Sequence, residues 1–293
     1  MQGMVSTTAP GGEHVPAKDS ATVLLLRPAS TGHGGVEVFM QQRALSMAFA
    51  AGMATFPGGS VDPSDRVGTQ DWIATATGDL DEPDHAGGPA ATTPVTAAAI
   101  RETFEECGVL LARDGGPDGA THGPTSGLGR VPRTAPARGE LRDEFRELRS
   151  ALSKHRLGVA DALDVLGMAP HTDQLHYVDR WITPQGLPRR YDTRFIAAAV
   201  PPGQEPENLS TESVRSFWIT PIAALDAYAT GELGLMQPTW AQLRRLAAAR
   251  TVDQALLPAR TGVTRNVLVE INGRVVPWGA GTEDFLASGP HGQ

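Results

Sequence analysis

The apolar residues of this chain fall into short blocks separated by polar or glycine-rich stretches. Residues 21–27 (ATVLLLR) make a nearly continuous apolar run, the pattern of a strand buried on both faces. Residues 36–42 repeat it, and Thr31-Gly32-His33-Gly34-Gly35 between them has turn chemistry. A third short strand is predicted at 52–56, running into Pro57-Gly58-Gly59. Thr93-Pro94 opens a helix, with Thr as N-cap and Pro at the first position, and Gly108 stops it after Cys107. Leu141, Phe145, Leu148 and Leu152 at i, i+4, i+7 and i+11 lay one apolar stripe along a second helix, and 160–166 predicts a short third. Strands follow at 177–183, 194–200 and 214–219, then helices at 221–230 and 239–250. Residues 266–271 and 274–276 flank Asn272-Gly273, the dipeptide of a type I′ hairpin.

The remaining stretches lack a period. Residues 1–20 read as a disordered leader and 279–293 as a disordered tail. Residues 66–93 carry Asp71, Asp79, Asp81, Glu82 and Asp84 among glycines and prolines, an acidic surface insertion anchored by Trp72-Ile73. Residues 113–139 are rich in Gly, Pro and Thr, a second loop. The expected organisation is one domain over 21–278, with insertions at 66–93 and 113–170. Alternating strands and helices favour an α/β domain with helices on both faces of a mixed sheet.

Composition narrows the function. A net charge of −8 argues against a protein that wraps a nucleic-acid backbone. The single cysteine, Cys107, excludes an internal disulfide and a cysteine-built zinc site. Apolar runs are far shorter than the ~20 residues of a membrane span, and no apolar signal segment is seen, so a cytoplasmic protein is expected. The C-terminal Ser-Gly-Pro-His-Gly-Gln carries no peroxisomal address of the Ser-Lys-Leu kind.

The informative segment is Arg101-Glu102-Thr103-Phe104-Glu105-Glu106-Cys107-Gly108. At about 100° per residue, Ile100, Phe104 and Cys107 share one side of a helix and Glu102, Glu105 and Glu106 the opposite one. Carboxylates at i, i+3 and i+4 repel one another. A solvated acidic face is the ordinary reading of such a cluster. A divalent cation is the other, and hard oxygen donors suit Mg²⁺ or Mn²⁺ rather than zinc. Upstream, Gly58 and Gly59 let backbone approach a phosphate or the helix start closely.

Together these pieces resemble the Nudix hydrolase signature: Gly, five residues, Glu, seven residues, then Arg-Glu-apolar-x-Glu-Glu-x-Gly-apolar. Gly59, Arg101, Glu102, Glu105, Glu106, Gly108 and Val109 match it. Three departures stand out. Asp65 replaces the first Glu, Thr103 takes an apolar position, and 35 residues rather than seven separate Asp65 from Arg101. An interrupted box resembles the branch that includes peroxisomal coenzyme A and acyl-CoA diphosphatases. Trp181-Ile182-Thr183-Pro184, Arg190-Tyr191-Asp192-Thr193-Arg194-Phe195, Trp218-Ile219-Thr220-Pro221 and Gln237-Pro238-Thr239 are similar to that branch too. Arg43, Ala44, Met47, Gly52 and Phe56 keep the spacing of a segment typical of coenzyme A-type members, with Ala50 where a histidine is expected.

The resemblance implies an α/β/α sandwich with a mixed sheet and added helices, and metal-dependent hydrolysis of a nucleoside diphosphate linked to another group. It implies metal ligation by Glu102 and Glu106 with Glu105 third, and catalytic roles for Glu102, Glu105 and Arg101. Arg101 would tie carboxylates and loop together by bidentate hydrogen bonds. Gly58, Gly59 and Arg43 would meet the nucleotide. The general base is left among Glu102, Glu207 and Glu212, and Arg189, Arg190 and Arg194 are phosphate-gripping or merely solvated. His171 and His176 have no evident ligand partner, and Cys107 reads as inert core. The expected partner is a small nucleotide substrate, foremost coenzyme A or acyl-CoA, with no nucleic acid or membrane and with a homodimer possible. ADP-ribose, a dinucleotide or a nucleotide sugar is the alternative substrate. A non-catalytic Nudix-fold binding module is the other reading, against which the intact glutamate set argues.

Overall fold

A computed structural model describes residues 15–30, 35–47, 50–72, 75–76, 93–114, 143–209, 212–257, 263–271 and 274–290. The chain begins with strands β1 (Lys18–Pro28), β2 (Val36–Arg43), β3 (Met53–Thr55), β4 (Gly58–Ser60) and β5 (Thr75–Ala76). Helix α1 (Thr93–Cys107), β6 (Ala112–Asp114), α2 (Asp143–Ser153), α3 (Val159–Leu166) and β7 (Met168–Pro170) follow. Next come β8 (His176–Ile182), β9 (Tyr191–Ala199), β10 (Ser213–Ile219), α4 (Pro221–Ala229), β11 (Gly234–Leu235), α5 (Gln237–Ala247) and α6 (Val252–Leu256). The last elements are β12 (Val263–Arg265), the hairpin β13 (Val267–Ile271) and β14 (Arg274–Trp278), and α7 (Thr282–Ser288).

Strand β1 is the axis of a mixed sheet. It runs parallel to β9 along nine rungs, from Lys18 opposite Tyr191 to Leu26 opposite Ala199. Its other edge is divided. Leu26 to Pro28 pair antiparallel with β2, and Ser20 to Thr22 pair antiparallel with β4. Side chains alternate along β1, so its two faces belong to two cores. Ala21, Val23 and Leu25 pack with α1, α2 and α3 through Ile100, Phe104, Phe145 and Leu163. Leu24 and Leu26 pack on the other side with α4, α5 and α6 through Tyr228, Trp240, Leu243 and Leu256. Burial on both faces is why residues 21–27 read as an unbroken apolar run rather than an alternating one. The expected α/β/α sandwich with a mixed sheet and added helices is the fold observed.

Two expectations at the ends are corrected. The leader was expected to reach residue 20, yet Lys18, Asp19 and Ser20 are the first rungs of β1. Their polar partners come from distant sequence: Ser20 Oγ lies 2.8 Å from Thr193 Oγ1, and the Arg194 guanidinium donates to Asp19. The tail was expected to be disordered from residue 279, yet it holds α7. Phe285 of that helix stacks on Tyr228 at 5.3 Å and meets Trp240 edge-on. Seven residues are too few to display a period, so tertiary contact decides this helix. Helix α1 takes in Thr93, whose hydroxyl donates to the Gln70 carbonyl at 3.4 Å. Trp72 is buried as expected of an anchor. Ile73, all but Gly35 of the expected turn at 31–35, the turn at 272–273, and most of the two expected loops lie outside the described residues.

Helices α2 and α3 belong to the core beneath α1. Phe145 is 3% exposed and meets Phe104 edge-on at 6.0 Å. Truncating it removes a large buried side chain and leaves a cavity, so Phe145→Ala should cost about 3–5 kcal/mol in urea unfolding. A loss below about 1 kcal/mol would show that α2 is not part of the domain core.

Candidate active site

Helix α1 is divided as the helical projection requires. Ile100, Phe104 and Cys107 are at most 1% exposed and face the core. Glu102, Glu105 and Glu106 line a cleft of about 690 Å³. Its other walls come from the start of β1 (Ser20, Thr22), from Gly58 and Gly59, from Arg149 of α2, and from Arg43, Arg189 and Glu212. Burial raises the proton affinity of the Cys107 thiol, and its Sγ donates to the Thr103 carbonyl, so it is inert core as read.

Two contacts bring the halves of the motif together across the intervening chain. The first is the glycine turn. Pairing of β4 with β1 sets Gly58 opposite Thr22, where a Cβ would collide with the Ala21 carbonyl. Its φ of +153° also suits glycine. The Gly58 N–H donates to a Glu106 carboxylate oxygen at 3.0 Å. A Cβ on Gly59 would occupy the space of the Glu102 carboxylate. Glycine is therefore required here so that backbone can lie directly against Glu102 and Glu106.

The second contact is the Arg101–Asp65 ion pair. Asp62 caps the 3₁₀ turn Pro63–Arg66, accepting from Ser64 N, and its own N–H donates to Asp65 at 2.8 Å. The Asp65 carboxylate, fully buried, accepts from Arg101 Nε and Nη2, each at 2.9 Å. Arg101 also donates to the Ser60 carbonyl at 2.9 Å, to Glu102 at 2.9 Å and to Glu105 at 3.4 Å. Burial disfavours its charge, but Asp65 and the two glutamates hold the guanidinium firmly protonated. Expected among the catalytic groups, Arg101 is 2% exposed and is not part of the cleft lining. It is a positioning residue, and its planar fork is the reason arginine serves there. Asp65 fills the place of the usual glutamate because the turn carries it close enough for the shorter side chain.

The cleft floor holds more negative charge than the protein neutralises. Burial, and secondarily the neighbouring Glu102, push Glu106 up to about 8. Burial pushes Glu102 up to about 7, against the opposing pull of Arg101. Glu105 is raised for the same reasons. Among the described residues, no three acidic, histidine or cysteine side chains converge as a ready metal cage. Arg101 takes up Glu105 and one Glu102 oxygen. The donors nevertheless fit a hard divalent cation: they are carboxylate oxygens, they face a cleft, and Arg101 offsets their mutual repulsion only in part.

The structure sorts the other candidates. Arg43 lines the cleft, 3.7 Å from Glu212. Glu212 lies on the cleft wall, whereas Glu207 is exposed and away from it. Arg190 is buried and bonds the carbonyls of Thr183, Pro184 and Val15. Arg194 is buried against Asp19 and Asp192. Both are structural, and only Arg189 of the three reaches the cleft. His171 and His176 are not part of its lining. Sequence reasoning missed Arg149, which donates to the Glu105 and Leu209 carbonyls and lines the cleft. It lies on the polar side of an amphipathic helix, and no sequence signal separates it from a solvated arginine.

Removing one partner of the buried pair strands the other charge, so Asp65→Asn should destabilise by about 3–5 kcal/mol in chemical denaturation. A cost under about 1 kcal/mol would show the pair to be idle. The raised glutamates fix a pH dependence. They ionise in the unfolded chain near 4.5 but in the folded protein only near 7 to 8. The folded state then binds more protons, so stability falls as pH rises through that window. Metal-free protein should lose Tm between pH 5 and 8, and Mg²⁺ or Mn²⁺ should restore it at pH 8 far more than at pH 5. Equal melting at pH 8 with and without cation would contradict a metal-binding cluster.

A family model described as the NUDT19 Nudix domain matches residues 89–246. A human protein named acyl-coenzyme A diphosphatase NUDT19 is 30% identical over 242 residues, 73% of this chain and 61% of that protein. The chain thus spans about three-fifths of the length of that relative. The Gallus gallus protein of the same name is 27% identical over 266 residues, 78% of this chain and 68% of that protein. The crystal structure of a NUDIX hydrolase from Alicyclobacillus acidocaldarius aligns with a TM-score of 0.63 and 26% identity, covering 84% of this chain and 99% of that one. With the box assembled across its insertion and the family match over more than half of its length, this chain belongs to the Nudix family, in the branch of the NUDT19 Nudix domain.

Proposed function

We propose that this chain hydrolyses the diphosphate bond of coenzyme A or an acyl-coenzyme A, with Mg²⁺ or Mn²⁺ as cofactor. Water adds to one phosphorus and the bridging oxygen leaves with the other. The products are adenosine 3′,5′-bisphosphate and 4′-phosphopantetheine or its acylated form. The observation that carries this reading is the pair Glu102 and Glu106, laid against the Gly58-Gly59 turn at the floor of an open cleft. The relatives named acyl-coenzyme A diphosphatase support the substrate class.

Glu102 and Glu106 would hold the cation, with Glu105 as third ligand. Bound there, a divalent ion neutralises phosphate oxygens and acidifies water. The chain's own residues do the rest. Arg101 and the Gly58 N–H fix the two carboxylates, so little reorganisation is needed when the substrate arrives. Gly59 keeps the turn flat enough for a phosphate to approach. Arg43 adds positive charge to the cleft wall for the diphosphate. Glu102, or Glu212 across the cleft, accepts the proton of the attacking water. Glu207 drops out because it does not line the cleft.

The net charge of −8 and the acidic floor suit a small ligand neutralised by metal rather than a nucleic acid or an anionic membrane surface. Among the described residues, no helix is long and apolar enough to cross a membrane.

Glu106→Gln should lower turnover of coenzyme A by about 10²-fold or more in Mg²⁺, read by mass-identified products. Near-wild-type turnover in that variant would overturn the assigned role. Cleavage of ADP-ribose but not of coenzyme A by the wild-type protein would move the substrate while keeping the chemistry.

A further inference from the structure

We propose that Arg189 is a specificity residue that binds a second anionic group of the substrate, a phosphate monoester remote from the scissile diphosphate. On the reading above, on which this inference rests, that group is the 3′-phosphate of coenzyme A.

Among the described residues, three arginines line the cleft: Arg43, Arg149 and Arg189. Arg43 faces Glu212, and Nη1 of Arg149 donates to two backbone carbonyls. Arg189 is exposed and has no hydrogen bond or ion pair within the described residues. Its backbone is nevertheless held in place. The next residue, Arg190, is buried with its guanidinium on three carbonyls, and its own carbonyl accepts from Lys18 N at 2.9 Å. A free cation on a fixed stem at the mouth of a cleft is prepared for an anion.

The sheet sets the spacing. Gly58 and Gly59 lie on β4, Ser20 and Thr22 on β1, and Tyr191 and Thr193 on β9, in adjacent strands that all contribute to the cleft. Two strand spacings of roughly 4.8 Å separate β4 from β9. Arg189 also precedes Thr193 by four residues, so its stem lies on the order of 10 Å or more from the glycine turn. A stem at that distance stands away from the phosphate held at the glutamates. It suits another anionic group on the same ligand. Ser20, Thr22 and Thr193 line the floor between the two ends with hydroxyl groups suited to a sugar. A guanidinium can grip a phosphate monoester, a dianion near neutral pH, with two parallel N–H bonds.

The test compares coenzyme A with 3′-dephospho-coenzyme A as substrates of the wild-type chain, Arg189→Ala and Arg189→Lys in Mg²⁺. Arg189→Ala should lower the preference for coenzyme A, as a ratio of kcat/KM values, by about 10- to 100-fold, chiefly through KM, with partial recovery in Arg189→Lys. An unchanged ratio would overturn the assignment, whatever happens to both rates together. Calorimetric binding of adenosine 3′,5′-bisphosphate and adenosine 5′-monophosphate supplies a readout independent of turnover. The wild-type chain should favour the bisphosphate, and Arg189→Ala should lose that preference. If coenzyme A is not cleaved but the binding preference and its loss are seen, the proposed reaction fails and the anion site stands. If neither protein distinguishes the two nucleotides, the anion site fails.

Discussion

Arg101 carries a positive charge into the protein interior, and everything at the cleft floor depends on what answers it there. Asp65 takes two of its N–H groups, Ser60 offers a carbonyl, and Glu102 and Glu105 share the remaining nitrogen. A buried ion pair of this kind is a weak source of net stability, since desolvation offsets most of the attraction. Its value lies in geometry. Asp65 belongs to the turn after β4 and Arg101 to α1, so the pair fixes the glycine turn relative to the helix. The Gly58 contact to Glu106 follows from that placement.

The same arrangement explains how a long interruption is tolerated. The entropy of closing a flexible loop grows only as the logarithm of its length, so lengthening the connection from Asp65 to Arg101 adds little. What matters is that both ends dock. Trp72 is buried after the turn, and Thr93 bonds back to Gln70 at the helix start. The segments flanking the insertion are therefore tied to the body independently of what lies between them.

Charge in the cleft is arranged in zones. Negative charge gathers over the glycine turn, where Arg101 and the Gly58 N–H relieve the repulsion in part and protons or a cation can relieve the rest. Arginines stand at the walls, where anionic parts of a ligand arrive. An excess of negative charge at the floor would repel a bare nucleotide, so metal and substrate charges have to be neutralised together. Helix α2, from the insertion after β6, adds Arg149 to that wall and its carbonyl contacts to the end of α1.

Much of this was legible in the chain itself. The doubly buried run at 21–27, the helix ending at Gly108 and the opposed faces of Glu102 and Phe104 all follow from local periodicity and backbone sterics. These depend on neighbours within a few residues, which sequence displays directly. Other features required the fold. Lys18 to Ser20 are strand because β9, and at Ser20 also β4, pair with them, and α7 is helix because Tyr228 and Trp240 receive Phe285. Arg189, Arg190 and Arg194 are indistinguishable as sequence, yet burial gives two of them structural work and leaves one facing the cleft. Which partner a polar side chain meets is set by chain segments far away in sequence, and only the folded protein brings those segments together.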